Sequence, residues 1–187
     1  MKKIILESIS YKEEFLNSDH STFIEMISEI TTVLKSGNKL LICGNGGSAA
    51  DSQHIATEFV VRLSSKSTAP PLPAIALTTD SSTLTAAAND FGFKNIFSRQ
   101  IEALGNTGDF LLMISTSGNS ENLLTAAETA EKLNIKTGAF LGKTGGKLKN
   151  LVTYPILVKG ENGTRIQEVH ILLGHILCEL VQKSFQK

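Results

Sequence analysis

His54 and Glu58 stand four residues apart in the stretch GNGGSAADSQHIATEF, Gly44 to Phe59. On a helix that spacing puts an imidazole and a carboxylate on one face, where they can converge on one small volume. Gln167 and His175 are eight apart in TRIQEVHILLGHIL. Eight helical residues turn through roughly 80° beyond two full circuits, so this pair can also look inward together, with His170 off their arc. Two histidines, a carboxylate and an amide oxygen are acceptable to zinc, and they can equally carry general acid–base catalysis. The spacing is not the His-Glu-x-x-His of zinc proteases, so the residues alone leave both roles open.

A second chemistry lies close by. CGNGGSAAD (Cys43 to Asp51) and ISTSGNSEN (Ile114 to Asn122) are rich in glycine and small hydroxyl residues. Glycines such as Gly46 and Gly47 let a backbone approach a ligand closely, and helix-start N–H groups with serine hydroxyls offer neutral donors to an anion. Ser48, Ser115, Thr116, Ser117 and Ser120 can all donate. Hydroxyl residues also cap helices without any ligand, but two such loops at one end of one sheet point to a bound phosphate. Neither stretch fits the P-loop, and GNGG lacks the third glycine of G-x-G-x-x-G, since Ser48 and Ala49 occupy that place. A sugar phosphate fits better than a nucleotide.

These loops need strands to launch them. KLLICG is a short apolar run ending in glycine, and Pro73–Leu77, Asp109–Ser115, Lys136–Gly142 and Thr153–Val158 are further buried-strand candidates. Helical patterns alternate with them at Ser48–Leu63, Ser81–Asn89, Ile96–Leu104, Ser120–Asn134 and Arg165–Lys183. That alternation predicts an α/β fold, a three-layer sandwich whose central parallel five-stranded sheet is flanked by helices, with ligands at the carboxyl ends of the strands. Two amphipathic stretches, Leu6–Asn17 and Ser21–Ser36, precede the first strand, the second with Ser21 or Thr22 as its expected cap. They are extra to the α/β unit and suited to packing against another subunit.

The 187 residues suit one domain, with residues 1–37 as the added helices. Lysine plus arginine and aspartate plus glutamate each total 18, a zero net charge that argues against a nucleic-acid partner. No apolar run is long enough for a signal peptide or a membrane span, so a cytoplasmic protein with no membrane partner is expected. Cys43 and Cys178, each in an apolar segment, read as buried free thiols.

CGNGGSAADSQHIATEF, PAIALTTDSSTLTAAANDFGFKNIFSRQIEALG, DFLLMISTSGNSENLL and TRIQEVHILLGHILCELV together resemble the phosphoheptose isomerases of the sugar-isomerase (SIS) domain superfamily, over essentially the whole chain. The resemblance implies a flavodoxin-like or Rossmann-like SIS fold and a cytoplasmic homotetramer with active sites at subunit interfaces. It also implies the interconversion of sedoheptulose 7-phosphate and D-glycero-D-manno-heptose 7-phosphate for bacterial lipopolysaccharide or capsule. By motif match, Ser48, Ser115, Thr116, Ser117 and Ser120 hold the phosphate, with Asn45, Gly46, Gly47, Arg62, Asp90 and Gln167 near the substrate. Glu58 and His175 match the catalytic pair, and His54, Glu58, Gln167 and His175 match a site for one zinc ion per subunit. The chain departs from the common pattern at Thr57, Val61 and Thr164, where many relatives carry Ala or Glu, Gly, and in some cases Asp. Val61 and Thr164 bear on the identity of the heptose rather than on the reaction class.

A non-catalytic SIS protein that binds the bacterial replication initiator is the main alternative. Such proteins lack the residues matching Glu58 and His175, both present here. Sugar-phosphate sensing domains usually accompany a DNA-binding module, for which 187 residues leave no room. RIQEVHI and GNGGSAAD fit the heptose branch better than pentose or hexose phosphate isomerases.

Overall fold

The computed structural model describes residues 1–65 and 67–186. In chain order the helices and strands are α1 (Lys2–Leu16), α2 (Ser21–Lys35), β1 (Leu40–Gly44), α3 (Gly47–Val60), β2 (Ala74–Ala76), α4 (Ser81–Phe91), α5 (Ser98–Leu104), β3 (Phe110–Ser115), α6 (Glu121–Lys132), β4 (Lys136–Gly142), β5 (Tyr154–Val158) and α7 (Gly163–Lys183). Short 3-10 turns at Phe93–Asn95 and Leu148–Asn150 complete the path.

The apolar runs of β1 and β3 are buried at every residue, as strands covered on both faces must be. All pairings are parallel and the order is β2-β1-β3-β4-β5, the flavodoxin-like arrangement. Alternate residues feed two separate cores. Leu40, Ile42, Phe110, Leu112, Ile114 and Phe140 face α2, α3 and α7, meeting Met26, Phe59 and Leu173. Leu41, Cys43, Leu111, Met113, Ala139 and Leu141 face α4, α5 and α6, meeting Ala87, Phe97 and Ala126. Full burial of each such large side chain stabilises by about 1.5–3 kcal/mol relative to exposure. Cys43 and Cys178 are both buried and free, one in each core.

Three expected boundaries shift for local reasons. β2 shrinks to Ala74–Ala76, consistent with an edge position and a flanking Pro73 that has no N–H to give the ladder. α3 ends at Val60 rather than Leu63, and the returning chain closes on it when the Leu72 N–H donates to the Phe59 carbonyl. At α2 neither Ser21 nor Thr22 is the cap. His20 holds that position, and the Asp19 carboxylate accepts from the Ser21 N–H and hydroxyl at 2.9 Å each, a short acidic side chain serving the helix start.

At the amino ends of β1 and β3, Lys39 and Asp109 form a 2.6 Å ion pair with Asp109 only 1% exposed. The same carboxylate accepts from the backbone N–H groups of Lys39 and Asn106. The opposite, carboxyl end of the sheet is thereby left for the loops.

Helix α1 buries none of its residues, and Ile4, Ile5, Leu6, Ile9 and Leu16 are exposed. Between it, α2 and α7 runs an apolar trench of about 460 Å³ lined by residues such as Phe15, Ile24, Leu172 and Ile176. Among the described residues no helix is long and apolar enough to cross a membrane.

Candidate active site

In an order of 2-1-3-4-5 the topological switch point falls between β1 and β3, and a ligand crevice opens outside their carboxyl ends. Both hydroxyl-rich turns leave the sheet there. The first, Asn45–Ser48, enters α3 with Gly46 at φ +56° as its cap residue. The second, Ser115–Ser120, enters α6 with Ser120 as its cap residue.

Hydroxyls in the second turn are arranged to give rather than to receive. Ser115 Oγ accepts from the Gly118 N–H at 3.0 Å, and Ser117 Oγ accepts from the Asn119 N–H at 3.3 Å. With lone pairs so used, each O–H remains to be donated. Ser120 makes no side-chain capping bond although it occupies the cap position. Gly118, at φ +63°, lies so close to the Gly145 carbonyl that a Cβ could not fit between them, and the loop after β4 is tied on by Leu148 N–H to the Gly118 carbonyl. Ser48 and Ser115 are buried while Thr116 is half-buried.

The two turns are joined. Asn45 and Asn122 exchange amide hydrogen bonds at 2.9 and 2.8 Å. Asn122, in the first turn of α6 and 2% exposed, was not among the residues expected at the site.

Farther along α3 the predicted pair meets its partner. His54 Nε2 lies 2.9 Å from His175 Nε2 and 3.4 Å from Glu58 Oε1. The rings are tilted at 61°, and α3 lies against α7 along this face, where Gly174 leaves room for Ile55. Two ring nitrogens at that distance are satisfied when one carries a proton and the other offers a lone pair. The Glu58 side chain is 16% exposed, and its Oε2 is buried with no hydrogen-bond partner, an uncommon state for a carboxylate oxygen.

Gln167 stands apart from that trio. Its Nε2 donates to the Asp51 carboxylate at 3.2 and 3.4 Å, and its amide lies over Gly47, where a Cβ would collide with it. Asp51 is 8% exposed. Burial pushes its carboxyl above the usual carboxylate range, opposed by the Gln167 amide and nearby His54. Asp51 too was not expected at the site, although it is three residues from both Ser48 and His54.

Among the described residues no three His, Cys, Asp or Glu side chains make a ready-formed metal pocket. The donor types nevertheless suit zinc, and the 2.9 and 3.4 Å spacings of His54, His175 and Glu58 bracket the roughly 3.3 Å edge of a tetrahedron built from 2.0–2.1 Å bonds.

Two expected residues lie elsewhere. Arg62 is exposed just past the end of α3, at the opposite end of that helix from the phosphate turn. Asp90 is on α4, in the layer across the sheet, and lines an open groove of about 510 Å³ with Thr79, Asp80 and Arg99. One chain does not bring Asp90 to Glu58 and His175.

His170 points into the core on the sheet-facing side of α7, 0% exposed. Neither of its ring nitrogens makes a hydrogen bond of good geometry, and the nearby Leu141 backbone only weakly offsets the burial.

Residues 6–142 match the SIS domain family. The chain is 50% identical over 186 residues to a phosphoheptose isomerase of Clostridium acetobutylicum, covering 96% of this chain and 92% of that one. It is likewise 50% identical over 183 residues to a phosphoheptose isomerase of Aquifex aeolicus, covering 98% and 95%. Among solved structures, a phosphoheptose isomerase from Francisella tularensis superposes with a TM-score of 0.91 at 39% identity, covering 97% of this chain and 96% of that one.

Proposed function

The chain belongs to the phosphoheptose isomerases of the SIS domain family, and from that premise we propose how its own residues act on a seven-carbon sugar phosphate. The reaction is an aldose–ketose isomerisation. The substrate is sedoheptulose 7-phosphate and the product D-glycero-D-manno-heptose 7-phosphate, serving lipopolysaccharide or capsule synthesis in the cytoplasm. The observation that carries this reading is the meeting of His54 and Glu58, on the helix α3 that starts at the first hydroxyl turn, with His175 of α7.

Ser48, Ser115, Thr116, Ser117 and Ser120 hold the phosphate with neutral donors and the amino end of α3. Gly46 and Gly47 admit it to the backbone, and Asn45 sits beside the sugar. His54 lies six residues from Ser48 and Glu58 ten, about 9 and 15 Å along the helix axis. Helical side chains tilt toward the amino end, which brings both functional groups back toward the turn. The helix thus lays the phosphate end and the carbonyl end of an extended sugar along one line.

Glu58 removes the proton from C1 of the ketose, leaving an enediol, and returns it to C2. His175 moves a proton between the two oxygens, taking one from the C1 hydroxyl and supplying one to the C2 oxygen. The net change transfers two hydrogens from C1 and its oxygen to C2 and its oxygen, with no external oxidant. His54, Glu58, Gln167 and His175 would hold one zinc ion, which when bound supplies Lewis-acid polarisation of the sugar's oxygens. A carboxylate that ligates metal is a poorer base, so Glu58 does not serve both roles in one step.

The exposed apolar face of α1 and the trench beside it support a homotetramer. Arg62 and Asp90 then contribute from neighbouring copies to interfacial active sites, which accounts for the distance of Arg62 from the phosphate turn and of Asp90 from Glu58 and His175 in one chain. Proton NMR of sedoheptulose 7-phosphate with enzyme, with and without chelator, tests the reading. An aldose product is expected, and its absence under both conditions would overturn it.

A further inference from the structure

We infer that Asp51 is a positioning residue, which turns the Gln167 amide so that its oxygen, rather than its nitrogen, is presented to the bound sugar or ion. The inference deepens the proposed function and rests on Gln167 belonging to the site.

A glutamine amide has two ends of nearly equal size and opposite hydrogen-bonding character. A carboxylate can only accept, so the end that faces Asp51 must be the NH₂. The contacts agree: both carboxylate oxygens lie within 3.4 Å of Gln167 Nε2. The bare Cα of Gly47 leaves the slot in which the amide lies. With Nε2 committed, Oε1 is the atom left for a ligand. Asp51 is well placed for this because it sits on α3 between Ser48 and His54, one turn from each, and its own burial keeps water from replacing the amide as its partner. Carboxylates that orient a ligand-contacting group in this way are commonly worth roughly 10–100-fold in affinity or activity.

The test is a cycle of variants. Asp51→Ala frees the amide, and kcat/KM should fall by roughly 10–100-fold. Gln167→Glu sets two carboxylates against each other and should lose at least as much. In the double variant Asp51→Asn with Gln167→Glu the donor and acceptor are exchanged, an oxygen again faces the ligand, and most of the activity lost in Gln167→Glu should return. A residue that merely stabilises the fold would not give that rescue, and a double variant no better than Gln167→Glu would overturn the inference. If Asp51→Ala does not fold, Asp51→Asn and the double variant still decide.

A second readout needs no turnover. In protein labelled with ¹⁵N-glutamine, the Gln167 side-chain amide resonances should shift on Asp51→Ala, and unchanged resonances would overturn the assignment. A wild-type enzyme inactive on the heptose phosphate would sink the proposed function while this measurement still judged Asp51.

Discussion

The side-chain amides of Asn45 and Asn122 donate to one another across 77 residues of sequence, locking the turn after β1 to the turn after β3. β1 and β3 are hydrogen-bonded neighbours, so the pair sits at the switch point and sets the separation of the two anion-binding turns.

Replacing Asn122 with Ala should therefore act on substrate binding before chemistry. Steady-state kinetics should show KM for the sugar phosphate raised about tenfold, with kcat within a few-fold of wild type, the loss of a buried hydrogen-bond partner being worth about 1–3 kcal/mol. An unchanged KM would show that the turns hold their spacing without the pair.

Glu58→Gln keeps the shape of the side chain and removes the base. Turnover should fall by roughly 10²–10⁴-fold, the usual worth of a general base. Inhibition by inorganic phosphate, read in parallel, should be nearly unchanged. Near-normal turnover would refute the assignment of Glu58.

Asp109 at the amino ends of the strands is a matter of stability alone. It is 1% exposed and binds Lys39 twice and Asn106 once. Asp109→Ala leaves those donors unpaired and should cost about 3 kcal/mol, seen as a lowered urea midpoint, with catalytic constants of the folded fraction intact.

Stability should also depend on pH through His170. Burial holds its pKa down to about 4 against an ordinary 6.5, so between these values the unfolded chain takes up a proton that the folded chain refuses. Stability is then undiminished by this group above pH 6.5 and declines as the pH falls toward 4. The full loss is about 3 kcal/mol at 1.36 kcal/mol per pK unit. Urea titrations across that range should show the slope, and His170→Phe should flatten it. An equal slope in both proteins would place the dependence elsewhere.

Much of this arrangement was legible in the residues. Five apolar runs, four of them followed by a helical pattern, describe the sheet because buried parallel strands leave that trace, and β4 falls at Lys136–Gly142 as read. His54 and Glu58 were legible because their relation is helical and local. Asn122 and Asp51 were not, since each acts through a partner 77 or 116 residues away, and partnership at that range is decided by packing. A signal for Asp51 did exist in its three-residue spacing from both Ser48 and His54. The α2 cap misled for a subtler reason: Asp19, two residues before Ser21, competes as an acceptor and a serine there cannot reveal which oxygen wins.

Helix α1 buries none of its residues fully and rests on its own chain mainly through the partly buried Tyr11 and Phe15. A 15-residue helix with so little apolar cover is marginal in water, so in an isolated subunit its amide hydrogens should exchange with solvent far faster than those of β1 or β3. Covering it with a neighbour would slow that exchange while leaving the central strands as they were. Deuterium uptake along Lys2–Leu16, followed on dilution, thus becomes a gauge of how many subunits stand together.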